Sequence, residues 1–299
     1  MIKKRILIMG YGNMAQRYYS VIKKINSKSE IKFYSSRNVD NNLYNKNDEI
    51  KNFNPDIVII SSSTHHHFDD LKFINKIVKN KIILVEKPLF HKIKKIILKN
   101  KVFVAYNLRY DPLINEIKRL IKNKKIWSVE VFCNSYMPRW RKRNYTKTYS
   151  AHKRLGGGVA LDLSHEIDYL LWFFKDLKIK FSISNKISNL KINSDDNLVI
   201  IGRAKNVDQI ILHLNYYSKI SARTINITSS NINVRADLIN KKMIIEKNNK
   251  EIIKSWKEKK FNKSFENQIK SIMLKKNIVS TSYNEAIDVL KILKKVKNL

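Results

Sequence analysis

Ile6-Leu7-Ile8-Met9-Gly10-Tyr11-Gly12-Asn13-Met14-Ala15 sets the architecture of the chain. Four apolar residues in a row read as a short buried strand. Ala15, Tyr18, Ile22 and Ile25 then fall on one stripe of a helix. A G-x-G-x-x-A run between a strand and a helix is the dinucleotide-binding arrangement, and this context raises a weak motif to a useful one. Gly10 makes the tight turn, Gly12 lets the backbone reach a pyrophosphate, and Ala15 lets helix and strand pack closely. The helix start faces the phosphates with free N–H groups and the positive end of its dipole. Cofactor contacts are therefore expected from Gly10, Tyr11, Gly12, Asn13, Met14 and Ala15.

The same alternation continues on the C-terminal side. A second strand, Ile31-Lys32-Phe33-Tyr34, ends in Ser35-Ser36-Arg37, where an NAD site usually carries an acid for the ribose 2′-OH. Hydroxyls and an arginine suit a 2′-phosphate instead, so NADP is favoured over NAD. A third strand, Ile57–Ile60, opens into Ser61-Ser62-Ser63-Thr64, followed by a helix striped by Phe68, Leu71, Ile74 and Val78. Ile82–Val85 ends in Glu86-Lys87-Pro88, and Val102–Ala105 reads as a fifth strand. Repeated strand–helix alternation predicts a parallel, doubly wound sheet with ligands beyond the carboxyl ends of its strands, where Lys87 sits. His65-His66-His67 is not read as a metal site, because consecutive helical residues point apart and no cysteine or carboxylate set accompanies them.

After Asn107 the texture changes. Pro112 starts a helix carrying Leu113, Ile117, Leu120 and Ile121. Period-2 runs follow, among them Val129/Val131 and Ile210/Leu212/Leu214, with others at 179–187, 198–203 and 223–228. They predict a mainly antiparallel sheet, with a turn at Asn248-Asn249-Lys250. Helical patterns near 264–275 and 283–296 close the chain. The expected architecture is an α/β domain over residues 1–107, then an α+β domain over 108–299 with an open sheet, its last helix packing back on the first domain.

A second organising stretch lies in the later domain: Gly156-Gly157-Gly158-Val159-Ala160-Leu161-Asp162-Leu163-Ser164-His165-Glu166-Ile167-Asp168, running into Tyr169–Phe174. Three of the six glycines stand here side by side and let the backbone approach a neighbour or a ligand closely. Read as one helix from Asp162, the segment puts Leu163, Ile167, Leu170, Leu171 and Phe174 on one face. Asp162, His165, Glu166 and Tyr169 fall on the other, and the apolar last turn is expected to be buried. Asp162, His165 and Glu166 are thus catalytic candidates, with Asp162 or Ser164 as a plain helix cap the alternative.

Composition sets bounds. The 43% hydrophobic content and 14 Tyr, 12 Phe and four Trp can build cores for two domains. One cysteine, Cys133, permits no internal disulfide and suits a reducing cytosol. The apolar run after Met1-Ile2-Lys3-Lys4-Arg5 is too short for a signal sequence, and none reaches bilayer length, so a cytoplasmic protein without a membrane partner is expected. The net charge of +35 is spread along the chain in a Lys/Asn/Ile-rich composition, so it does not name a nucleic-acid partner.

Taken together, Gly10–Ala15, the Ser-rich strand end with His67, Glu86-Lys87-Pro88, Asn107-Leu108-Arg109-Tyr110 and Gly156-Gly157-Gly158 with Asp162, His165 and Asp168 carry a likeness. In these motifs and their order the sequence resembles the glucose–fructose oxidoreductase / inositol dehydrogenase / MocA (Gfo/Idh/MocA) family of NAD(P)-dependent oxidoreductases. The resemblance implies a Rossmann domain followed by a domain whose open sheet often joins subunits, hence a homo-oligomer, dimer or tetramer. It implies hydride transfer to or from a carbon of a sugar or polyol. It gives Lys87 a place beside nicotinamide and substrate, after which the lysine–proline bond is often cis. Ser62, His67, Glu86 and Asn107 become cofactor contacts, and Arg109 a substrate contact, by the same implication. The sequence departs from the family twice. The helix between Pro88 and Val102 is short, and the histidine follows the aspartate by three residues rather than four, leaving Glu166 in the four-later place. His165 is preferred because an imidazole suits proton transfer near neutral pH, and the choice between His165 and Glu166 stays open.

The segment before the glycines names a substrate class. Residues 139–154 contain seven Lys or Arg and no Asp or Glu, where composition alone would give about three. Arginine dominates there although lysine dominates elsewhere. Arg139 and Arg141 suit a phosphate or carboxylate, and Trp140 and Tyr149 offer faces to a sugar ring. An anionic sugar derivative, a nucleotide sugar or a sugar acid, in surface-polysaccharide biosynthesis is the expected substrate. The alternatives are a lyase or hydrolase using bound cofactor without net redox change, and a cofactor-binding regulatory protein without turnover.

Overall fold

The computed structural model describes residues 2–36, 40, 42–43, 47–142, 144–256 and 262–297; Arg37 and Arg143 lie outside the described residues. The chain divides into two compact units, Met1–Asn107 with Ser264–Leu290, and Leu108–Lys263 with Lys291–Leu299. The elements run in order β1 (Arg5–Met9), α1 (Asn13–Ile25), β2 (Glu30–Tyr34), α2 (Asn47–Phe53), β3 (Ile57–Ile60), α3 (His67–Ile77), β4 (Ile82–Val85) and β5 (Lys101–Val104). Next come α4 (Pro112–Ile121), β6 (Ile126–Tyr136), α5 (Val159–Asp162), α6 (His165–Phe174), β7 (Lys178–Asn185), β8 (Asn197–Ala204), β9 (Val207–Asn215), β10 (Tyr217–Thr228), β11 (Asn233–Asp237), β12 (Lys242–Lys247) and β13 (Lys250–Ser255). The chain closes with α7 (Asn262–Leu274), β14 (Thr281–Ser282) and α8 (Tyr283–Lys297).

In the first unit the strands lie in the order β14-β5-β4-β3-β1-β2, parallel except for β14 against β5. Ile6 pairs with Ile31 on one side and Ile57 on the other. β3 and β4 are buried along their whole length, which is why they read as unbroken apolar runs rather than alternations. The stripe expected on α1 is the buried one: Ala15, Tyr18 and Ile22 pack with Ile8, Ile59 and Leu84, and with Phe265 and Ile269 of α7. No helix forms between Pro88 and Val102, where a short one was expected. The irregular segment is held by its backbone instead. Asn75 Nδ2 donates to Ile97 O at 3.0 Å, Lys99 N donates to Asn75 Oδ1, and Ile96 N donates to the Tyr283 hydroxyl. These bonds satisfy groups that a helix would have paired within itself.

The second unit is built on an eight-stranded sheet in the order β13-β12-β11-β10-β6-β9-β8-β7. Every pair is antiparallel except β6 with β9, where Val129 faces Ile210. Alternation sorts its two faces. Val129, Val131, Ile210, Leu212, Ile225 and Ile227 are buried, while Phe132, Val199, Ile201 and His213 belong to the other, less covered face. Asn248 and Asn249 both take φ near +55° (53° and 57°), the two-residue turn that twists with the strands of the β12–β13 hairpin.

The segment after the glycines is not one helix. α5 is a single turn ending at Asp162, and α6 begins at His165. The break at Leu163-Ser164 is fixed by the Ser164 hydroxyl, which donates to Leu161 O at 2.8 Å. A face drawn through both pieces is therefore void: Asp162, Glu166 and Tyr169 are all buried, and they are not one polar face with His165. The apolar last turn, expected buried, is half-buried over Leu171, Trp172 and Phe173.

Candidate functional site

In the first unit, Gly10 has φ +97°, and a Cβ on it would lie 2.9 Å from Ser62 N, so the turn admits only glycine. Gly12 is different. It caps α1 with an extended backbone (φ −91°, ψ −173°) open to any residue, and among the described residues a Cβ there would meet nothing within 4 Å. The protein's own packing does not ask for glycine at this point. Among the described residues no side chain caps α1, and no acid occupies its first turn, so the N–H groups of Asn13, Met14 and Ala15 stand at a positive helix end. An open cradle beside such an end fits a dinucleotide pyrophosphate.

The other expected cofactor contacts of this unit are occupied in ways the sequence did not show. Ser35 N donates to Asn42 Oδ1 and Asn42 Nδ2 returns a bond to Ser35 O, pinning the end of β2; Ser36 beyond it is exposed. Ser62 donates its hydroxyl to Asp70 at 2.5 Å. His67 is fully buried, its ring bridging Pro88 O (3.0 Å) and Ser62 O (3.1 Å), and burial holds its pKa down to about 4. It ties the end of β3 to the Lys87–Pro88 turn, whose peptide is cis. Glu86 accepts from the Tyr18 hydroxyl at 2.7 Å and from Lys87 N at 3.1 Å, and burial raises its pKa. Asn107 donates to the Ser264 hydroxyl at 3.3 Å. Lys87 itself is half-buried just past the carboxyl end of β4.

In the second unit, the glycines approach protein. Gly156 is left-handed (φ +79°), and a Cβ on Gly157 would lie 2.3 Å from Tyr149 O. Asp162, at the end of α5, is 5% exposed and accepts two phenols: Tyr149 on Oδ1 at 3.0 Å and Tyr216 on Oδ2 at 2.5 Å. Burial, then the charge of Asp162, pushes both phenols' pKa values up, so they remain donors. The basic segment converges on the same two rings. The Arg141 guanidinium lies 5.9 Å from the Tyr149 ring centre, and Trp140 packs edge-on against Tyr216 at 4.9 Å. Arg139 lies over Tyr136 and donates to Lys219 O. Arg139, Trp140 and Arg141 are all exposed. His165 opens α6, half-buried, three residues after Asp162.

Two expected site residues have other settings. Arg109, expected at the substrate, is 2% exposed and points both ends of its fork at Asp168: Nε to Oδ2 at 3.0 Å and Nη2 to Oδ1 at 2.8 Å. Its planar donors match a carboxylate, and two of them bind Asp168. Glu166, the alternative acid/base, is fully buried against β10, with Oε1 accepting from Arg223 Nε at 2.7 Å. That is a structural ion pair. Tyr216 and Arg223 were missed by sequence reasoning, and no local signal marks them: each is one residue in a period-2 region, 54 and 57 residues from its partner.

Folds of this kind are known. No family model matches the sequence. Over 130 residues the chain is 28% identical to the "Putative oxidoreductase YteT" of Bacillus subtilis (strain 168), a match spanning 40% of this chain and 30% of that protein. The WlbA dehydrogenase of Bordetella pertussis, solved with NADH and UDP-GlcNAcA, superposes with a TM-score of 0.76 at 14% identity, covering 99% of this chain and 96% of that one. This chain shares the fold of that dehydrogenase. A super-repressor mutant of Gal80p from Saccharomyces cerevisiae shares the fold, with a TM-score of 0.80 at 14% identity over 99% of this chain and 95% of that one. Among the described residues no helix is long and apolar enough to cross a membrane.

Proposed function

We propose that this chain is a nicotinamide-dependent oxidoreductase acting on a sugar derivative, with an anionic one, a nucleotide-linked sugar or a sugar acid of surface-polysaccharide biosynthesis, as its substrate. The observation that carries the reading is the meeting of Trp140 and Arg141 with the two tyrosines that bind Asp162. It joins groups that recognise a negative charge and a ring to a fixed carboxylate. The complex of WlbA with NADH and UDP-GlcNAcA supports a partner of that chemistry.

Gly10–Ala15 would hold the dinucleotide's pyrophosphate, and the bound nicotinamide would accept or donate the hydride. In the first unit, Lys87 would hold or move the proton on the substrate oxygen; in the second unit, Asp162 and His165 are the candidates for orienting and stabilising a substrate oxygen. Glu166, locked on Arg223, keeps α6 against the sheet. NADP is favoured over NAD from Ser35-Ser36-Arg37, where an acid would otherwise stand. The open sheet face, with Phe181 at 51% and Ile183 at 41% exposure, would join two copies in a homodimer or tetramer. A monomer in sedimentation velocity would exclude that.

The deciding experiment is a panel of neutral sugars and polyols beside UDP-N-acetylglucosamine and its carboxylated counterpart, each with NAD(H) and NADP(H). The anionic compounds are expected to turn over faster, with kcat/KM lowered at least tenfold by Arg141→Ala or Arg139→Ala, or about 1.4 kcal/mol. Preference for neutral sugars, undiminished by these changes, would overturn the substrate class. Equal affinity for both cofactors would overturn the NADP assignment. Gly12→Ala tests the cradle separately. Its Cβ meets none of the described residues, so thermal stability should hold while NAD(P)H affinity falls about tenfold or more in a calorimetric titration. Unchanged affinity would remove the pyrophosphate from this position. The likeness to Gal80p favours a second reading, a cofactor-binding regulator, which would show cofactor binding and no turnover across the panel.

A further inference from the structure

Asp162 stands at the end of a helix of only four residues, and a single isolated turn does not hold itself: nucleation fixes several dihedrals for one hydrogen bond. Its N–H groups show what imposes the turn. Leu161 N and Asp162 N donate to Gly158 O at 3.2 and 3.0 Å. The other two go to one residue outside the segment: Val159 N donates to Asp195 O at 2.9 Å, and Ala160 N donates to Asp195 Oδ2 at 3.1 Å.

Asp195 is held in turn. Its Oδ1 lies 2.5 Å from Lys297 Nζ, and the two side chains are 7% and 4% exposed. The same ammonium reaches Gly157 O at 3.5 Å. Gly158 records the closeness of this packing. At φ +121°, a Cβ on it would sit 2.1 Å from Asp195 Oδ1 and 2.8 Å from Lys297 Nζ. The third glycine is thus required by the ion pair, and the last turn of α8 reaches the base of the helix that carries Asp162.

We propose that Asp195 and Lys297 are positioning residues: a buried clamp that holds the glycine turn and α5, and so sets where the Asp162 carboxylate points. The proposal rests on the reading of Asp162 as a group that faces the substrate oxygen. It gives the end of α8 a part in the chemistry without contact with cofactor or substrate. The consequence is directional. Loss of the ammonium leaves Asp195 buried beside the glycine turn, and the first structure to loosen is residues 159–162.

The test is hydrogen exchange on the full chain for Asp195→Asn and Lys297→Ala, comparing amides 159–162 with those of β1. Expected is an acceleration of about a hundredfold at 159–162 with β1 unchanged. With UDP-N-acetylglucosamine as probe, kcat should fall about tenfold to a hundredfold while KM stays within about threefold, as a displaced catalytic group predicts. Millimolar ethylamine should restore part of the Lys297→Ala loss. Asp195→Asn preserves size and one of the two acceptor positions, so it reports even where Lys297→Ala does not fold. Unchanged exchange at 159–162, or equal acceleration along the whole chain, overturns the clamp. The exchange readout needs no substrate. Loosening confined to 159–162 in a protein that turns over no sugar supports the clamp and overturns the dehydrogenase reading instead.

Discussion

Lys87→Met is expected to lower turnover by about 10² to 10⁴, the range that a positioned proton-transfer group contributes. Lys87 follows the buried strand β4, at the carboxyl end of a parallel sheet, where such folds gather their ligands. Its backbone is held in place: Lys87 N donates to Glu86 Oε2, and the peptide after it is cis to Pro88, whose carbonyl faces the buried His67 ring. Methionine keeps the apolar stem and removes only the ammonium. Folding and NAD(P)H affinity should therefore stay close to those of the parent, with the loss in kcat. Steady-state kinetics beside a cofactor titration separates the two. A variant that retains turnover within about threefold of the parent would remove Lys87 from the proton-transfer role.

The second large effect is one of stability. Arg109→Leu should destabilise the chain by about 3–5 kcal/mol, because it leaves the Asp168 carboxylate buried without its cation. Both side chains of that pair are essentially inaccessible, at 3% and 1%, and two parallel bonds join them. Trp172 adds to the site, with the Arg109 guanidinium 5.2 Å and the Lys118 ammonium 3.4 Å from its ring centre. Denaturant unfolding of Arg109→Leu, Asp168→Leu and the double variant decides the point. The double variant should be more stable than either single one, since removing both charges together spares the desolvation cost of each. If Arg109→Leu instead raised KM for the sugar and left the unfolding midpoint in place, Arg109 would return to the substrate site.

The contrast between Arg109 and Arg141 shows what separates a legible residue from an illegible one. Each looks alike in sequence, an arginine in a motif near aromatic residues. Arg109 ends in the core because Asp168, 59 positions away, meets its fork. Arg141 stays outside, over a tyrosine whose hydroxyl points inward. Only the fold pairs them, because partner choice at long sequence separation is decided by which strands and helices come together.

The features legible in the residues alone are local. The turn at Gly10–Ala15, the buried runs of β3 and β4, the stripe of α1 and the period-2 strands of the second unit follow from backbone sterics and from the 3.6- and 2-residue spacing of apolar side chains. Those rules act over a few residues, so one chain suffices to read them. The tertiary structure decided the rest. It broke the expected helix at Leu163-Ser164, placed Glu166 in an ion pair with Arg223, and assigned Gly158 to Asp195 and Lys297 rather than to a ligand. Each of these turns on burying a polar or charged group, which forces it onto a partner wherever in the chain that partner lies.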